Sequence, residues 1–461
     1  MGFLAVFLLW LLSLSRAKAL SNIGVNYGQL GNNLPSPYLS IELLTKMKAG
    51  YVKIYDANPD ILNLLSTRKL KVSIMVPNNQ VSDIATNPSA AEEWVRNNVL
   101  PYLPRTKIRH ILVGNEVLSS NSEEGRQTWY YLVPAMQMIK RSLKALNISS
   151  IKVGTPMAMD VLESTFPPSR GRFRYDIRDN VIMPMLNFLN RTNSFFFIDV
   201  YPYFPWSQSP YNISLDFALF RGGIRIRDPG SSLFYTNLLD QMLDSLIYAM
   251  SKLGFSNIPI AISETGWPNS GDINEPGANI FNAATYNRNL IRRMTRNPPL
   301  GTPARPGVRI PTYIFSLFDE NQKPGPGTER HWGLLHPDGT PVYEIDLTGK
   351  SAADFGPLPA PENNLPYRGK VWCVAVKGAN EMQLENALTY ACNQSNVSCD
   401  ALAPGRECYE PVSIADHASY VFSLYWSKFR SHGATCYFNG LAQQTISNPS
   451  RGSCKFPSVT L

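Results

Sequence analysis

The chain has 461 residues and a formal net charge of +8, from 43 Lys and Arg against 35 Asp and Glu, with an isoelectric point of about 9.0. This length accommodates one large domain and one small one. Arginines cluster at residues 170–174 and 221–227, and we interpret them as solvated loop charge rather than as a surface for an acidic polymer or a membrane. No aromatic–basic binding motif accompanies them, which argues against nucleic acid as a partner.

The N-terminal segment has the features of a secretory signal peptide. An apolar run, FLAVFLLWLLSL, is followed by Arg16-Ala17-Lys18-Ala19, and the Ala-x-Ala ending is typical of a signal-peptidase site. We therefore predict a signal peptide over residues 1–19. A retained anchor is the alternative, although the run is too short to span a bilayer, and no transmembrane span is expected elsewhere. Five sequons are candidate glycosylation sites in an exported chain: Asn147, Asn190, Asn212, Asn393 and Asn396.

Short apolar runs rich in β-branched residues alternate with longer amphipathic segments as far as residue 320. The runs cover residues 22–28, 51–56, 71–77, 108–117, 151–157, 195–204, 258–267 and 312–320. Helical segments cover residues 36–49, 90–103, 126–146, 232–253 and 279–296. Alternating strands and helices indicate a parallel α/β sheet, and eight strands predict a closed (β/α)8 TIM barrel over residues 20–348. An open doubly wound sheet is the alternative, but the Gly-rich phosphate turn usual in that fold is missing after the first strand.

Two glutamates end predicted strands at the rim where a barrel carries its chemistry. Glu116 ends strand four and Glu264 ends strand seven, and both belong to the carboxyl-end rim. Gly114 and Gly266, each two residues away, are expected to leave open space beside the carboxylates. Cleavage of a glycosidic bond needs one carboxyl to protonate the leaving oxygen and another to attack the anomeric carbon or activate water. His and Cys residues show no metal-ligand spacing, so we expect neither a metal nor a cofactor.

Aromatic residues concentrate after strand six, where Tyr201, Tyr203, Phe204 and Trp206 occur within six positions. Aromatic rings can stack against the apolar faces of sugar rings, although packing within the core is an equal alternative for any one of them. About 25 residues rich in Gly, Pro and Arg separate Trp206 from the next clear helix, and a loop of that length usually shapes a site.

Six motifs in this order resemble the plant endo-1,3-β-glucanases of glycoside hydrolase family 17: GVNYGQLGNNLP, KIYDANP, ILVGNEV, DVYPYFPW, ISETGWP and FDENQKPGPGTERHWGLLHPDG. The resemblance covers residues 22–346. It implies that Glu116 is the general acid/base and that Glu264 is the nucleophile. One departure is Asp199, where several members of the family have Asn before Tyr-Pro-Tyr.

The same resemblance implies a supporting cluster near strand eight, formed by Glu320, Lys323 and Glu329. A lysine in that cluster would favour ionised carboxylates and keep the nucleophile charged, whereas a surface ion pair of little energetic weight is the alternative. Further residues at the strand ends are expected to contact the substrate: Tyr27, Tyr55, Asn115, Tyr201, Phe204 and Trp332.

All six cysteines lie between residues 373 and 454, so the C-terminal part is a separate, disulfide-stabilised unit that forms in an oxidising compartment. Residues 349–368 form a Pro- and Gly-containing linker. Its low apolar content predicts few contacts with the barrel. Spacing alone leaves fifteen possible pairings of the cysteines.

Residues 369–456 resemble the X8 domain, carbohydrate-binding module family 43, through the motifs WCVA and HASY and the order of the cysteines. The resemblance implies a mainly helical fold that binds 1,3-β-glucan. It implies three disulfides, Cys373–Cys436, Cys392–Cys399 and Cys408–Cys454. Tyr425, Trp426 and Tyr437 are either exposed groups that contact glucan or parts of the core.

The expected protein is a secreted, monomeric, retaining endo-hydrolase of 1,3-β-glucan, a callose-like polymer, with an appended glucan-binding module. Its expected location is extracellular or in the cell wall, with the vacuole as the alternative. Two other functions are consistent with the motifs: a non-catalytic callose-binding protein, and a 1,3-β-glucan transglycosylase that uses the same two glutamates with sugar in place of water as acceptor.

Overall fold

The structure, a computed structural model, describes residues 22–350 and 355–461, so the predicted signal peptide at residues 1–19 lies outside the described residues. Within the described ranges, nine strands form one parallel sheet: β1 (Ile23–Tyr27), β2 (Tyr51–Ile54), β3 (Lys71–Val76), β4 (Lys107–Val113), β5 (Lys152–Gly154), β6 (Pro156–Ala158), β7 (Phe196–Asp199), β8 (Ile260–Thr265) and β9 (Thr312–Ile314). Continuous apolar sequence suits these strands because both of their faces are covered.

The sheet curls into a barrel. Its strand order is β5-β4-β3-β2-β1-β9-β8-β7-β6. β5 and β6 are two segments of one strand interrupted at Thr155; β5 pairs with β4, and β6 pairs with β7. This interrupted strand therefore joins the two ends of the sheet, and the nine segments occupy eight strand positions. The predicted TIM barrel is confirmed.

The barrel interior is packed with side chains and also contains buried polar groups. Met75, Leu112, Phe197 and Ala261 form an apolar cluster inside the ring. Beside it, the hydroxyl of Ser73 lies 2.9 Å from both His110 Nδ1 and the hydroxyl of Tyr313. Burial lowers the pKa of His110 to about 4, so this histidine stays neutral and belongs to the core.

Helices surround the barrel: α1 (Pro37–Lys46), α2 (Pro59–Leu65), α3 (Val81–Thr86), α4 (Pro88–Asn98), α5 (Glu123–Ala145), α6 (Met183–Thr192), α7 (Leu238–Lys252) and α8 (Ile280–Met294), with shorter helical turns at Tyr175–Ile177, Tyr203–Gln208 and Leu215–Ala218. Local sequence sets several of the starting points. Asn58 and Asn87 accept backbone N–H groups at the starts of α2 and α4, and a proline occupies the first helical position of each.

Several predicted boundaries are wrong, including the end of the strand predicted at 108–117, which is Val113. The strand predicted at residues 195–204 ends at Asp199, and Tyr203–Gln208 is helical. The strand predicted at 312–320 ends at Ile314, so Glu320 belongs to the loop that follows. The helix predicted from residue 232 begins only at Leu238, because Asn237 caps it and Phe234–Tyr235 pairs with Ile226–Arg227 as a hairpin.

The small domain combines two helices with a three-stranded antiparallel sheet. The helices are α9 (Glu381–Cys392) and α10 (Ile414–Phe429), and the strands are β10 (Lys370–Ala375), β11 (Ala442–Thr445) and β12 (Val459–Thr460), with β10 in the centre. Three disulfides join Cys373 to Cys436, Cys392 to Cys399 and Cys408 to Cys454. They are the pairs that the X8 resemblance implies.

The linker and the small domain make more contacts with the barrel than low apolar content predicts. The carbonyl of Asn363 accepts the N–H of Gly277 at 2.7 Å, and the side chain of Asn364 accepts from the side chain of Asn282 at 2.7 Å. Backbone and asparagine side-chain groups can form such hydrogen bonds without burying apolar area, and composition does not reveal this.

A second set of contacts joins the small domain to the loop after β9. The Tyr437 hydroxyl donates to the carbonyl of Asn321, and the guanidinium of Arg330 lies 3.7 Å from the centre of the Tyr437 ring. Gln444 Oε1 accepts the N–H of Ile273 at 2.9 Å. The small domain therefore contacts the loop that carries Lys323 and Glu329.

None of the helices within residues 22–350 and 355–461 is long and apolar enough to cross a membrane.

Candidate active site

A cavity of about 1480 Å³ opens at the carboxyl-end rim of the barrel. Both glutamates line it, together with residues contributed by the ends of β2, β4, β6, β7 and β8. The long loop after Trp206 contributes Asn212, Ile224 and Ile226 to the wall. That loop therefore shapes the cavity, as its length predicts.

Glu264 is held by three hydrogen-bond donors. Its Oε1 accepts from Lys53 Nζ at 2.7 Å and from the Tyr55 hydroxyl at 2.6 Å, and its Oε2 accepts from the Tyr201 hydroxyl at 2.7 Å. Only 6% of the residue is exposed. The carboxylate is thus fixed in orientation and largely removed from water.

Burial alone would raise the pKa of Glu264, but the charge of Lys53 and the hydrogen bonds from Lys53, Tyr55 and Tyr201 outweigh it and lower the pKa. Burial and the negative charge of Glu264 raise the pKa of both tyrosines well above the usual value, so they remain protonated donors. Glu264 is therefore ionised and suited to act as a nucleophile.

Lys53 contacts Glu264 but is not among the residues predicted from the sequence. It is fully buried and lies on β2, two positions before Tyr55, so both side chains project from the same face of the strand. A lysine within the apolar run YVKI was the available signal. Lys323, the lysine expected to keep the nucleophile charged, instead lies 3.6 Å from Glu329 and 4.2 Å from the centre of the Phe315 ring.

Glu116 lies just past the end of β4, with a left-handed backbone conformation (φ 47°) that is unfavourable for a non-glycine residue. Its N–H donates to the carbonyl of Pro156 at 3.1 Å, which ties it to β6. Burial and the charge of Glu264 raise the pKa of Glu116 to about 7, against an opposing effect of Lys53. This carboxyl therefore holds a proton under conditions in which Glu264 is ionised, as a general acid must.

Asn115 is positioned by a reciprocal pair of hydrogen bonds with Asn78. Its N–H donates to Asn78 Oδ1 at 2.6 Å, and its carbonyl accepts from Asn78 Nδ2 at 3.0 Å. Its Oδ1 accepts from Lys53 Nζ at 3.4 Å. Asn115 lines the cavity and connects the segment carrying Glu116 to the lysine that binds Glu264.

The glycines near the two glutamates do not leave open space. A Cβ on Gly266 would lie 2.4 Å from the carbonyl oxygen of Phe315, and one on Gly114 would lie 2.5 Å from a methyl carbon of Val117. Both glycines instead allow neighbouring segments to approach closely. The expectation of free space beside the carboxylates is wrong.

Three of the predicted aromatic contacts line the cavity as a cluster. The ring centres of Tyr201 and Trp332 are 5.0 Å apart, and Phe204 lies 5.5 Å from Tyr201 and 5.8 Å from Trp332. Phe204 is 37% exposed, whereas Trp332 is nearly buried. The exposed face of Phe204 offers the most accessible stacking surface of the three.

Other aromatics lie in the core. Tyr27 is 2% exposed, packs edge-on against Phe318 and is not among the residues that line the cavity. Because side chains alternate along β1, Asn26 points into the barrel, where its amide donates to the Tyr55 hydroxyl at 3.1 Å, and Tyr27 points outward. Tyr203 and Trp206 are also buried, against Trp267.

Glu320 lies close to Glu264 although it belongs to a loop. It is 3% exposed, lines the cavity and accepts the N–H of Leu30 at 2.9 Å. Burial raises its pKa, partly offset by Lys323. Lys323 and Glu329 line the same side of the cavity. The structure therefore places Glu320, Lys323 and Glu329, the three residues predicted as a supporting cluster, in the wall of one cavity.

The remaining sequence-predicted positions lie away from the cavity, except for one sequon. All five sequon asparagines are exposed, and Asn212 is also part of the cavity wall. In the small domain, Trp426 belongs to the core, Tyr437 faces the barrel loop, and Tyr425 lies 6.2 Å from the exposed ring of Tyr390. Within the described residues, no group of three or more His, Cys, Asp and Glu could hold a metal ion.

Comparison with known proteins supplies independent information. The profile described as glycosyl hydrolases family 17 matches residues 23–347, and the X8 domain profile matches residues 371–443. An Arabidopsis thaliana protein named as a probable glucan endo-1,3-beta-glucosidase A6 is 60% identical over 442 residues, 96% of this chain and 92% of that protein. Another from the same plant, glucan endo-1,3-beta-glucosidase 13, is 38% identical over 434 residues, 94% of this chain and 84% of that protein.

A solved structure is similar to the barrel. It is described as a beta-1,3-glucanase and allergen of Cryptomeria japonica pollen, has 41% sequence identity and a TM-score of 0.66, and covers 71% of this chain and 99% of its own.

Proposed function

Because the chain belongs to glycosyl hydrolase family 17, we propose that it cleaves internal (1→3)-β-D-glucosidic linkages of a 1,3-β-glucan with retention of anomeric configuration. The observation that carries the proposal is the opposite pKa shift of two carboxyls lining one cavity. Glu264 is ionised by Lys53 and two tyrosines, whereas Glu116 is protonated up to a pH of about 7. This pairing is what a double displacement at a sugar carbon requires.

In the first step, a carboxylate oxygen of Glu264 forms a bond with the anomeric carbon while the bond to the leaving oxygen breaks and Glu116 gives its proton to that oxygen. In the second step, Glu116 takes a proton from water, the water oxygen bonds to the anomeric carbon, and the ester to Glu264 breaks. Lys53, Tyr55 and Tyr201 position the nucleophile. Two inversions give net retention.

Substrate contacts are proposed for Asn115, Tyr201, Phe204 and Trp332, which line the cavity, and supporting roles for Glu320, Lys323 and Glu329. Tyr27 is not included, because it points away from the cavity.

The proposed organisation is a signal peptide at residues 1–19, a catalytic domain at 20–348, a linker at 349–368 and a glucan-binding X8 domain at 369–456. The disulfides support secretion to the extracellular space or cell wall, and the proposed enzyme is a monomer.

The test uses linear 1,3-β-glucan with the full chain. NMR spectroscopy during the first turnovers is expected to show the β-anomer of the new reducing end, and chromatography is expected to show oligosaccharides of mixed length. The matched control is Glu264→Gln, which keeps the size of the side chain but cannot attack. An α-anomer as first product would contradict the nucleophile assignment. Products longer than the substrate would indicate transglycosylation, and glucan binding without new reducing ends would indicate a non-catalytic binding protein.

A further inference from the structure

Asp199 is a third carboxyl in the cavity that the mechanism above does not use. It ends β7, where it pairs with Glu264 of β8 on one side and Ala158 of β6 on the other. It is 2% exposed and lines the cavity with Glu116 and Glu264. Asp199 therefore lies between β8, which contains Glu264, and β6, whose Pro156 carbonyl binds the N–H of Glu116.

The two oxygens of Asp199 have different surroundings. Oδ1 accepts a hydrogen bond from the Ser263 hydroxyl. Oδ2 is buried and has no hydrogen-bond partner among the described residues. A buried carboxylate oxygen without any donor is costly, whereas a neutral acid carries at that place a proton that it can donate to Glu116, whose pKa a hydrogen bond with the Asp199 side chain lowers. The pattern fits a protonated carboxyl with Oδ1 as its carbonyl oxygen.

The charges around Asp199 favour the same state. Glu264 and Ser263 face it from β8, Lys53 and Tyr55 from β2, Glu116 from the segment after β4, and Tyr201 from its own strand end. Lys53 is the cation of this group, and it is already paired with Glu264 at 2.7 Å. Burial, together with the charges of Glu264 and Glu116, raises the pKa of Asp199 well above the usual value, against the opposing effect of Lys53.

Building on the proposed hydrolysis, we propose that Asp199 is a neutral carboxylic acid throughout turnover and a positioning residue for Glu116, to which its Oδ2–H donates once Glu116 has given up its proton. Charge then balances at both stages. Before attack, ionised Glu264 compensates Lys53 while Glu116 and Asp199 are neutral. In the intermediate, Glu264 is an uncharged ester and the carboxylate of Glu116 compensates Lys53. The proton of Asp199 stays in place, and no bond to it is made or broken.

The test compares Asp199→Asn with Asp199→Ala in the full chain, with thermal unfolding as the check on folding. Asn is neutral, equal in size and keeps a donor. We expect its kcat/KM within roughly threefold of the parent and an unchanged alkaline limb. Ala removes the donor, so kcat is expected to fall by about tenfold or more with little change in KM.

Two kinetic outcomes would overturn the proposal. If Asp199 were ionised, its replacement by Asn would remove a negative charge beside Glu116, and the alkaline limb would move to lower pH by about one unit. If the Asn and Ala variants had equal activities, no donor at Asp199 would be needed.

Infrared difference spectroscopy gives an answer that does not depend on the substrate. Comparison of Glu116→Gln with Glu116→Gln/Asp199→Asn at about pH 6, above the usual range of an aspartate, isolates Asp199. The carbonyl stretch of a protonated carboxyl should be present in the first protein and missing in the second. A carboxylate signal in its place would reject the neutral state even if the enzyme cleaves the glucan, whereas failure of glucan hydrolysis alone would leave this measurement valid.

Discussion

At the scale of single residues, the buried lysine decides the chemistry of Glu264. A carboxylate and an ammonium group that both leave water lose hydration worth several kcal/mol each. Their contact at 2.7 Å, supported by two tyrosine hydroxyls on the carboxylate, offsets that cost. The net result is a carboxylate with a lowered pKa, as the proposed nucleophile requires. Removal of Lys53 would leave an uncompensated buried charge.

We therefore expect Lys53→Met to move the acid limb of kcat/KM to higher pH and to destabilise the fold by about 3–5 kcal/mol. The lowered pKa keeps Glu264 ionised as the pH falls, so activity is lost only when the pH falls through that pKa; without Lys53 the pKa rises, and the loss occurs at higher pH. A pH profile and a denaturant titration measure the two effects. Lys71→Met is the matched control, since Lys71 lies on the adjacent strand near Tyr51 and should leave the profile unchanged. An unshifted acid limb in Lys53→Met would contradict the role given to this lysine.

The alkaline limb belongs to Glu116. Because this carboxyl must be protonated to act as an acid and its pKa is raised to about 7, kcat/KM should fall as the pH rises through about 7. Glu116→Ala should abolish this limb and should retain far more activity on an activated aryl glycoside, whose leaving group needs no proton, than on the polymer. Glu264→Ala should lose activity on both substrates. Equal losses on the two substrates in Glu116→Ala would argue against the assigned roles.

At the scale of elements, the two-residue period of the strands determines which side chains reach the cavity. Lys53 of β2 and Tyr55, which directly follows β2, project to the same side and both reach Glu264. Asn26 and Tyr27 of β1 are neighbours and point in opposite directions. The helical turn Tyr203–Gln208 also directs its side chains to different sides. It buries Tyr203 and Trp206 in the core and leaves Phe204 exposed at the cavity.

Phe204→Ala should therefore raise KM for glucan by about tenfold, with a smaller change in kcat. The variant loses a stacking surface that contributes about 1.4 kcal/mol to substrate binding. Initial rates on a soluble glucan measure this. Tyr211→Ala is the matched control: this ring is 69% exposed and is not part of the cavity wall, so its removal should not change KM. If both variants behave alike, Phe204 is not a substrate contact.

At the scale of the whole molecule, the chain is two units that touch. The barrel contains no cysteine, and all six cysteines belong to the small domain. The small domain nevertheless contacts the loop after β9 through Tyr437, while Arg330 also donates to the carbonyls of Lys323 and Gly325 from within the barrel. The loop is therefore held from both sides, and the internal bonds persist if the small domain unfolds.

A reductant should accordingly unfold residues 369–461 and weaken binding to insoluble glucan, because two tethered sites no longer act together. Activity on soluble glucan should fall by no more than a few-fold. Circular dichroism, pull-down on insoluble glucan and reducing-end assays follow the three properties in one sample. Complete loss of soluble activity in parallel with unfolding would mean that the barrel depends on the small domain.

The sequence by itself determined the features that reside in local patterns. Apolar runs at regular spacing gave the eight strand positions of the barrel, and Glu116 and Glu264 could be selected because each occurs at a strand end within a short motif. The confinement of all cysteines to residues 373–454 indicated the second domain. Strand ends were less accurate, because the polar and aromatic residues after Asp199 and Ile314 have no period that separates a strand from a loop.

Only the tertiary structure decided which groups meet. Lys53 and Glu264 are 211 residues apart, and no local pattern states that the lysine of β2 faces the carboxylate of β8. Register and closure of the ring also determine that Tyr27 points outward and that Asp199 Oδ2 has no hydrogen-bond partner among the described residues. The contact of Tyr437 with the barrel loop depends on the tertiary structure as well. The physical reason is that burial and pKa are set by neighbours in space, and in a closed barrel those neighbours come from strands far apart in the chain.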